Sequence, residues 1–208
     1  MAPRRVRPIV MSAVAVLALT VIPAGAEKPG KTFKSPLNNF TIPVPDLGMF
    51  TTDVKVQKRN SKDEGTVSFI GDSGRLRRID YRRIPEDVIV LTGDVQQAAF
   101  TRMLRALVEN NAQSVVVAQK PYEMDGVPML LAVVTIPGAS MFMDAATKKR
   151  LDSTRGLLYF VRSRFSYELH AELTDGTFGN SRTPPSADEL TTRAERILPE
   201  FYQTIAFQ

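Results

Sequence analysis

Hydrophobic and polar residues alternate in several segments of the chain, a pattern typical of half-buried β-strands. The alternation is clearest in residues 165–173, where apolar side chains take the odd positions and Ser, Glu and His take the even ones. A short polar link separates this run from the apolar residues 156–161, so the two segments predict a hairpin. A second hairpin is predicted for residues 66–70 and 76–83, because the intervening segment 71–74 holds two glycines, an aspartate and a serine.

Three more segments have strand character. Residues 114–119 are rich in valine, residues 129–136 are almost continuously apolar, and a turn region at residues 121–128 lies between them. Residues 40–45 alternate but contain two prolines, which suits a short strand at the edge of a sheet because proline cannot donate a backbone hydrogen bond. Residues 204–207 can form a last strand.

Apolar residues recur at the period of an α-helix in two segments. The first begins near Thr92 or Asp94, either of which can cap a helix, and ends at an Asn-Asn pair. The second begins at a capping box formed by Ser186 and Glu189. Pro199 is expected to kink that second helix or end it early. The apolar stripes comprise Val95, Ala99, Met103, Ala106 and Leu107 in the first helix, widened by Phe100, Leu104 and Val108, and Leu190, Ala194, Ile197, Leu198 and Phe201 in the second.

The order of these elements is strand, hairpin, helix, hairpin, hairpin, helix, strand. Short hairpin links force antiparallel pairing, and two amphipathic helices then cover the sheet. The prediction is an α+β fold with a central antiparallel sheet flanked by helices. With no internal repeat and no change of composition along the chain, residues 40–208 are predicted to form one domain, preceded by a flexible lead-in at residues 27–39.

The first 26 residues have the composition of a secretory signal peptide. Arginines at positions 4, 5 and 7 form a cationic head, residues 9–22 are apolar and uncharged, and small residues follow up to Ala26. The apolar run has 14 residues, fewer than the roughly 20 that a membrane span needs. Cleavage after Ala26 is therefore favoured over a retained anchor, and the protein is predicted to be periplasmic, with full secretion left open.

Charge and cysteine content narrow the possible functions. The full chain has a net charge of +5, which falls to +2 without the three arginines of the predicted signal peptide. That value gives no support to nucleic-acid binding, which would need a basic stripe on the folded domain. The absence of cysteine excludes disulfides, a thiolate zinc site, a cysteine nucleophile and a lipid-anchoring cysteine.

Several short motifs resemble the PsbP-like superfamily, whose members are α/β/α sandwiches with a central antiparallel sheet. The motifs are Phe40-Thr41-Ile42-Pro43, Asp125-Gly126-Val127-Pro128, Arg155-Gly156-Leu157-Leu158-Tyr159-Phe160, Tyr167-Glu168-Leu169, and the passage of the last helix into a strand over residues 201–207. The resemblance implies a binding or assembly factor rather than an enzyme. The plant members assist a photosystem, but nothing in these residues supports a photosynthetic role.

Candidate catalytic and metal-binding groups are few. Ser73 lies in a Gly-Asp-Ser-Gly sequence like that of chymotrypsin-like proteases, but the single histidine, His170, follows it in the chain instead of preceding it. A hairpin loop is the favoured interpretation, and no catalytic residue is predicted. Glu168, His170 and Glu172 share one strand face, yet their side chains project in parallel, so a solvated or helix-covered polar face is favoured over a metal site. No phosphate loop or dinucleotide motif is present, and no cofactor is predicted.

Two basic segments are candidate binding sites. Arg78 and Arg82 are expected to share the outer face of a strand whose Ile79 and Tyr81 face the core, and they could bind an anion. The alternative is that these arginines pair with acids on the neighbouring strand.

The second segment joins adaptable apolar side chains to a basic tract. Its candidate partner-binding residues are Met141, Phe142, Met143, Lys148, Lys149 and Arg150. The alternative is that Phe142 fills the end of the core.

The sequence therefore predicts a non-enzymatic exported domain that binds a protein or cell-envelope partner, such as an assembly or accessory factor. A small-molecule or lipid binder with a pocket between sheet and helix is the alternative, and a hydrolase is the least favoured. No membrane span is predicted after cleavage, and the oligomeric state is left open.

Overall fold

Two β-sheets and two α-helices form the described part of the chain. The computed structural model describes residues 32–47, 54–71, 75–90, 92–111, 113–140, 143, 147–173 and 185–208. The strands are β1 (Thr32–Lys34), β2 (Phe40–Pro43), β3 (Val54–Asn60), β4 (Glu64–Gly71), β5 (Leu76–Arg83), β6 (Val115–Met124), β7 (Val127–Ile136), β8 (Ser153–Arg162), β9 (Phe165–Glu172) and β10 (Ala206–Phe207), and the helices are α1 (Gly93–Asn110) and α2 (Ala187–Gln203).

The larger sheet has seven strands in the order β3-β4-β5-β9-β8-β7-β6. Every neighbouring pair is antiparallel. Hairpins account for all of these pairs except β5 with β9, which joins two distant parts of the chain and places Arg78 opposite His170. The predicted antiparallel α+β architecture is confirmed.

One face of this sheet packs against α2. The inward residues of β9 are the odd-numbered ones, as the alternation predicted, and they join a core that includes Leu190, Ala194 and Leu198 of the helix. Gly156 in β8 lies directly beneath the helix. A Cβ atom at this position would lie 3.0 Å from Leu198 Cδ1 and 3.2 Å from Ala194 Cβ, so the glycine permits the close approach.

The opposite face packs against α1, which contacts β6 and β7. Phe100, Leu104 and Leu107 of the helix lie in a second core with residues of β7 and β8. The ring of Phe100 stacks on Tyr159 at a centroid distance of 6.2 Å. The two helices therefore lie on opposite faces of one sheet, which gives the three layers of an α/β/α sandwich.

The smaller sheet joins segments from the two ends of the described chain. Its strand order is β1-β2-β10, so β2 is the central strand and not the edge strand expected from its prolines. The structure accommodates Pro43 because it is the last residue of β2, opposite Thr32. Part of the predicted flexible lead-in is thus strand β1. Phe40 and Ile42 are fully buried in the core on the α2 side.

Three other local predictions differ from the structure. Helix α2 continues through Pro199 to Gln203, and the buried Phe201 and Tyr202 of its last turn show why tertiary packing outweighs the proline. Strand β6 extends to Met124, so the predicted turn region shortens to the two residues between β6 and β7. Strand β3 was not predicted, because it is an exposed edge strand in which only Val54 is buried.

The predicted signal peptide, residues 1–26, lies outside the described residues, as do Ser73, Met141 and Phe142. Of the two helices in the described ranges, neither is both long enough and apolar enough to span a membrane.

Candidate functional site

A group of charged side chains lies on the α1 face of the sheet, next to the apolar area that α1 covers. We call Arg78, Asp80, Glu168 and His170 the polar cluster. The strand register brings these residues together, because β5 places Arg78 opposite His170 and Asp80 opposite Glu168. All four are even-numbered, on the face opposite the buried Ile79 and Leu169.

The imidazole of His170 lies between two carboxylates. Its Nε2 atom is 2.9 Å from Asp80 Oδ2 and 2.9 Å from Glu168 Oε1. Asp80 is held from its other side by Arg78, whose Nε lies 2.8 Å from Asp80 Oδ2, and the hydroxyl of Thr66 donates to Asp80 Oδ1. Neither contact is a well-aligned hydrogen bond, so the interaction of His170 with the two carboxylates is mainly electrostatic.

These contacts fix the charges of the polar cluster. Burial alone would lower the pKa of His170, but the charge of Glu168 and the contacts with Asp80 outweigh it and raise that pKa above its usual value. Burial likewise opposes ionisation of Asp80, but the Arg78 guanidinium and His170 hold the pKa of that carboxyl well below its usual range. Both shifts therefore favour the charged forms of His170 and Asp80, in contact with each other and with Arg78.

A second buried ion pair continues the same face. The Nε atom of Arg155 lies 3.6 Å from Glu172 Oε2, and Ser153 Oγ accepts a 2.9 Å hydrogen bond from the same Nε. Both side chains of the pair are almost fully buried. The Arg155 Nη2 atom also donates a 3.0 Å hydrogen bond to the carbonyl oxygen of Ala139, in the segment that follows β7. This pair therefore attaches the β7–β8 connection to the sheet.

The two arginines predicted to bind an anion do share one face, but each has a carboxylate next to it. Arg78 pairs with Asp80 on its own strand. Arg82 pairs with Glu64 on the neighbouring strand through a 2.8 Å hydrogen bond from Nε to Oε2. Anion binding by Arg78 and Arg82 stays a prediction, and an anion would have to compete with these carboxylates.

The three polar residues predicted to share a face of β9 do not act as one group. His170 pairs with Glu168, whereas Glu172 pairs with Arg155. Asp80 replaces Glu172 as the second carboxylate beside the histidine. Within the described ranges, no grouping of His, Asp and Glu could hold a metal ion. The positive charge of Arg78, which contacts the same Asp80 oxygen as His170, would repel a metal cation bound there.

The other candidate site is the connection between β7 and β8. Met143 and Arg150 face each other in an antiparallel β-bridge, and the backbone N–H of Ser140 donates a 3.0 Å hydrogen bond to the carbonyl oxygen of Leu151. Asp152 accepts from the backbone N–H of Gly138 at 3.0 Å. The described residues on the two sides of this connection are thus paired with each other, and they form an extension tied to the sheet at its base.

This extension exposes an apolar side chain beside a run of cations. Met143 is 61% exposed, and Lys148, Lys149 and Arg150 are all exposed. We call these four residues the basic loop surface. Of the six residues predicted to bind a partner, these four are exposed and two of them, Met143 and Arg150, are opposite each other, while Met141 and Phe142 lie outside the described residues.

Sequence reasoning missed the pairing of Asp80 with His170 and the placement of Glu168 opposite Tyr159 of β8. The signal that could have found them is the odd or even position of each residue along its strand. Asp80, Glu168 and His170 all lie opposite the apolar positions of their strands, so adjacency of the two strands would bring them together. Nothing in the local sequence indicates that β5 and β9 are neighbours.

Comparison with known proteins gives structural likeness only. No family model matches the chain, and no curated protein matches it. The fold is similar to the solution structure of cyanobacterial PsbP (CyanoP) from Synechocystis sp. PCC 6803, with a TM-score of 0.48, 8% identity, and coverage of 91% of this chain and 99% of that chain. It is also similar to the Saccharomyces cerevisiae Ran-binding protein Mog1p, with a TM-score of 0.44, 10% identity, and coverage of 87% and 96%.

A solved PsbP is thus among the structures to which this chain is similar. The protein is an α+β sandwich domain, and it carries a basic extension at one end of its central sheet.

Proposed function

We propose that this chain is a non-enzymatic exported domain that binds a protein or cell-envelope partner through the basic loop surface. The observation that carries the proposal is the exposed Met143, held opposite Arg150 and next to Lys148 and Lys149. A thioether adapts its shape to a partner surface, and the adjacent cations favour a partner that carries negative charge.

The attachment of the loop supports a role in binding. The Arg155 guanidinium holds the carbonyl of Ala139, and Asp152 holds the backbone of Gly138. Residues held in this way lose less conformational freedom when a partner binds. The entropy cost of binding is therefore smaller. The polar cluster supports the non-enzymatic part of the proposal, because Asp80 and His170 are held in ion pairs with each other and with Arg78 and Glu168.

The test is site-specific photo-crosslinking in intact cells. A photoreactive residue at Met143 is expected to give crosslinked products, while the same residue at Gln57, an exposed position on edge strand β3, gives none. The triple variant Lys148→Ser, Lys149→Ser, Arg150→Ser should reduce the Met143 crosslinks severalfold, because it removes the charges that attract the partner. The melting temperature should stay nearly unchanged, since all three side chains are exposed.

Two results would contradict this proposal. A large fall in the melting temperature of the triple variant would show that the loop supports the core. Equal crosslinking from Met143 and Gln57 would show that the basic loop surface has no preferred partner.

Export is proposed from the pattern of residues 1–26 and is tested separately. Intact mass of the protein from the periplasmic fraction should correspond to a chain that begins at Glu27. A full-length chain that stays with the membrane fraction would contradict it.

No observation favours the alternative of a ligand pocket between sheet and helix. In the part of the chain that the structure describes, Phe100 and Leu104 of α1 pack directly against the sheet.

A further inference from the structure

The described part of the chain has a second exposed surface that combines apolar and charged side chains, and its charge is opposite to that of the basic loop surface. Ile89 is 70% exposed and Val95 is 56% exposed, the first just before α1 and the second in its first turn. Glu86, Asp87 and Asp94 are exposed beside them. We call these five residues the acidic surface.

Contacts with the β8–β9 turn place the acidic surface at one end of the seven-stranded sheet. The backbone N–H of Ile84 donates a 2.7 Å hydrogen bond to the carbonyl oxygen of Arg164, in that turn. The Arg164 guanidinium in turn donates to the carbonyl oxygens of Pro85 and Val88, which commits its Nη2 group to this segment. The segment that carries Glu86 and Asp87 is therefore fastened to the end of the sheet where β8 turns into β9.

The start of α1 lies at the same end. Gln97 donates a 2.8 Å hydrogen bond to the carbonyl oxygen of Met129, which lies near the start of β7. Met129 is opposite Phe160, near the end of β8. Asp94 and Val95, in the first turn of α1, thus lie at the same end of the sheet as the turn between β8 and β9.

The basic loop surface lies at the other end of the sheet. Its loop leaves the last residue of β7, Ile136, and enters the first residue of β8, Ser153, and these two residues are opposite each other. Strands of ten residues separate the two ends, a distance of about 30 Å at ~3.3 Å per residue. The molecule therefore presents a basic apolar surface and an acidic apolar surface at opposite ends.

We propose that the acidic surface of one copy of this chain docks onto the basic loop surface of a second copy, so that the copies associate head to tail. This inference rests on the proposed function, because it uses the same basic loop surface. Complementary charge selects the orientation, and the apolar side chains on both surfaces, Met143 against Ile89 and Val95, add contact area. A contact between two different surfaces does not close on itself, so it builds an open series of copies instead of ending at a dimer.

The test uses two charge-reversal variants and a matched control, each measured by sedimentation from low to high micromolar concentration. The acidic-surface variant is Glu86→Lys with Asp87→Lys. The basic-surface variant is Lys149→Glu with Arg150→Glu, so that each variant reverses two charges. The control is Arg102→Glu with Arg105→Glu, which makes the same change of charge as the basic-surface variant, but on the exposed side of α1 between the two ends.

The wild-type chain is expected to increase in mean mass with concentration, and the control variant should do the same. Each charge-reversal variant alone should remain at the mass of one copy. An equimolar mixture of the two variants should recover association, because each retains the surface that the other needs. In about 1 M NaCl, where the Debye length is ~3 Å, wild-type association should fall severalfold.

A wild-type chain that stays at the mass of one copy at every concentration in low salt would overturn the inference. So would variants that associate as the wild type does, or a mixture that fails to recover association. Failure here is distinguishable from failure of the proposed function, because crosslinks from Met143 to a different partner would persist in the acidic-surface variant. If those crosslinks were absent as well, both proposals would be wrong.

Discussion

At the scale of single residues, the most consequential contact is that of His170 with two carboxylates. Its Nε2 atom lies 2.9 Å from oxygens of both Asp80 and Glu168, and the side chain is almost fully buried. A neutral imidazole at this position would leave the two carboxylates with one fewer positive charge beside them, in a place where water cannot fully compensate. Folding and protonation of this histidine are therefore linked.

We predict that stability falls as the pH rises above 6.5. The folded pKa of His170 is raised, so its contribution is fully present below the usual value of 6.5 and is lost as the pH rises through the folded pKa. The pKa of Asp80 is lowered, so its contribution is present above the usual 3.8 and is lost in acid as the pH falls through the folded pKa. Urea unfolding between about pH 5 and about pH 8 should show the decrease.

The control for this prediction is His170→Gln, which removes the titrating group and keeps an amide of similar reach. The variant should be less stable at acidic pH and should lose most of the decrease above pH 6.5. The same slope in the variant and the wild type would assign the pH dependence to another group.

At the scale of elements, the two helices begin in different ways. Ser186 accepts a 3.2 Å hydrogen bond from the backbone N–H of Glu189, and the Glu189 carboxylate accepts one of 2.8 Å from the backbone N–H of Ser186. This is the capping box that the sequence predicted. At the start of α1, Thr92 occupies the N-cap position without a side-chain capping hydrogen bond.

The difference gives a matched pair of variants. Ser186→Ala is expected to lower the free energy of unfolding by about 1 kcal/mol, because it leaves a backbone donor of α2 without its partner. Thr92→Ala is expected to change it by less than about 0.5 kcal/mol. Chemical denaturation of both variants measures the two values. Equal losses would mean that the Ser186 hydrogen bond contributes nothing specific.

Elements whose signals are local could be predicted from the sequence. The capping box of α2, the alternation of β9 and the helical period of α1 all depend on residues within one turn or one strand. The predicted stripe of α1 was wrong at Val95, which is 56% exposed, because the buried side of the helix is formed by Phe100, Leu104 and Leu107. Strand β3 was missed because an exposed edge strand such as Lys55–Asn60 lacks the alternating apolar positions that mark a buried face. The end of α2 was misjudged because Tyr202, whose hydroxyl accepts a 2.7 Å hydrogen bond from Arg162, holds the helix beyond Pro199.

At the scale of the whole molecule, a cluster of aromatic rings connects the two sheets. The ring of Phe207 in β10 lies 5.6 Å from Phe160, 5.1 Å from Tyr167 and 5.3 Å from Tyr202. The Arg162 guanidinium lies 4.9 Å from its centroid. The last strand is therefore held by side-chain packing as well as by its pairing with β2.

We predict that Phe207→Ala destabilises the protein by about 2 kcal/mol, less than the ~3–5 kcal/mol of a fully buried phenylalanine because this ring is only half-buried. Urea unfolding measures the loss. Gln208→Ala is the control, since Gln208 is exposed and its backbone N–H bonds to Asn39 in both proteins. A loss below about 0.5 kcal/mol would show that β10 is dispensable.

The candidate sites show where sequence reasoning ends. The alternation of each strand correctly placed Arg78 and His170 on the face opposite Ile79 and Leu169, because successive side chains of a strand point to opposite faces. The contact of Asp80 with His170 depends on the adjacency of β5 and β9, which are separated in sequence by residues 84–164 and joined by no hairpin. The hydrogen bond from Arg155 to the carbonyl oxygen of Ala139 depends likewise on the path of the β7–β8 connection. Such long-range placements follow from the whole fold and have no local signature.

The small sheet has a consequence for the order in which the molecule folds. Strand β2 pairs on one side with β1, which is close to it in sequence, and on the other side with β10, which is far from it. Phe40 lies opposite Phe207 in the second pairing. Contacts between segments that are distant in sequence form only after a large loss of chain entropy, so we expect the surroundings of Phe40 to be completed late in folding.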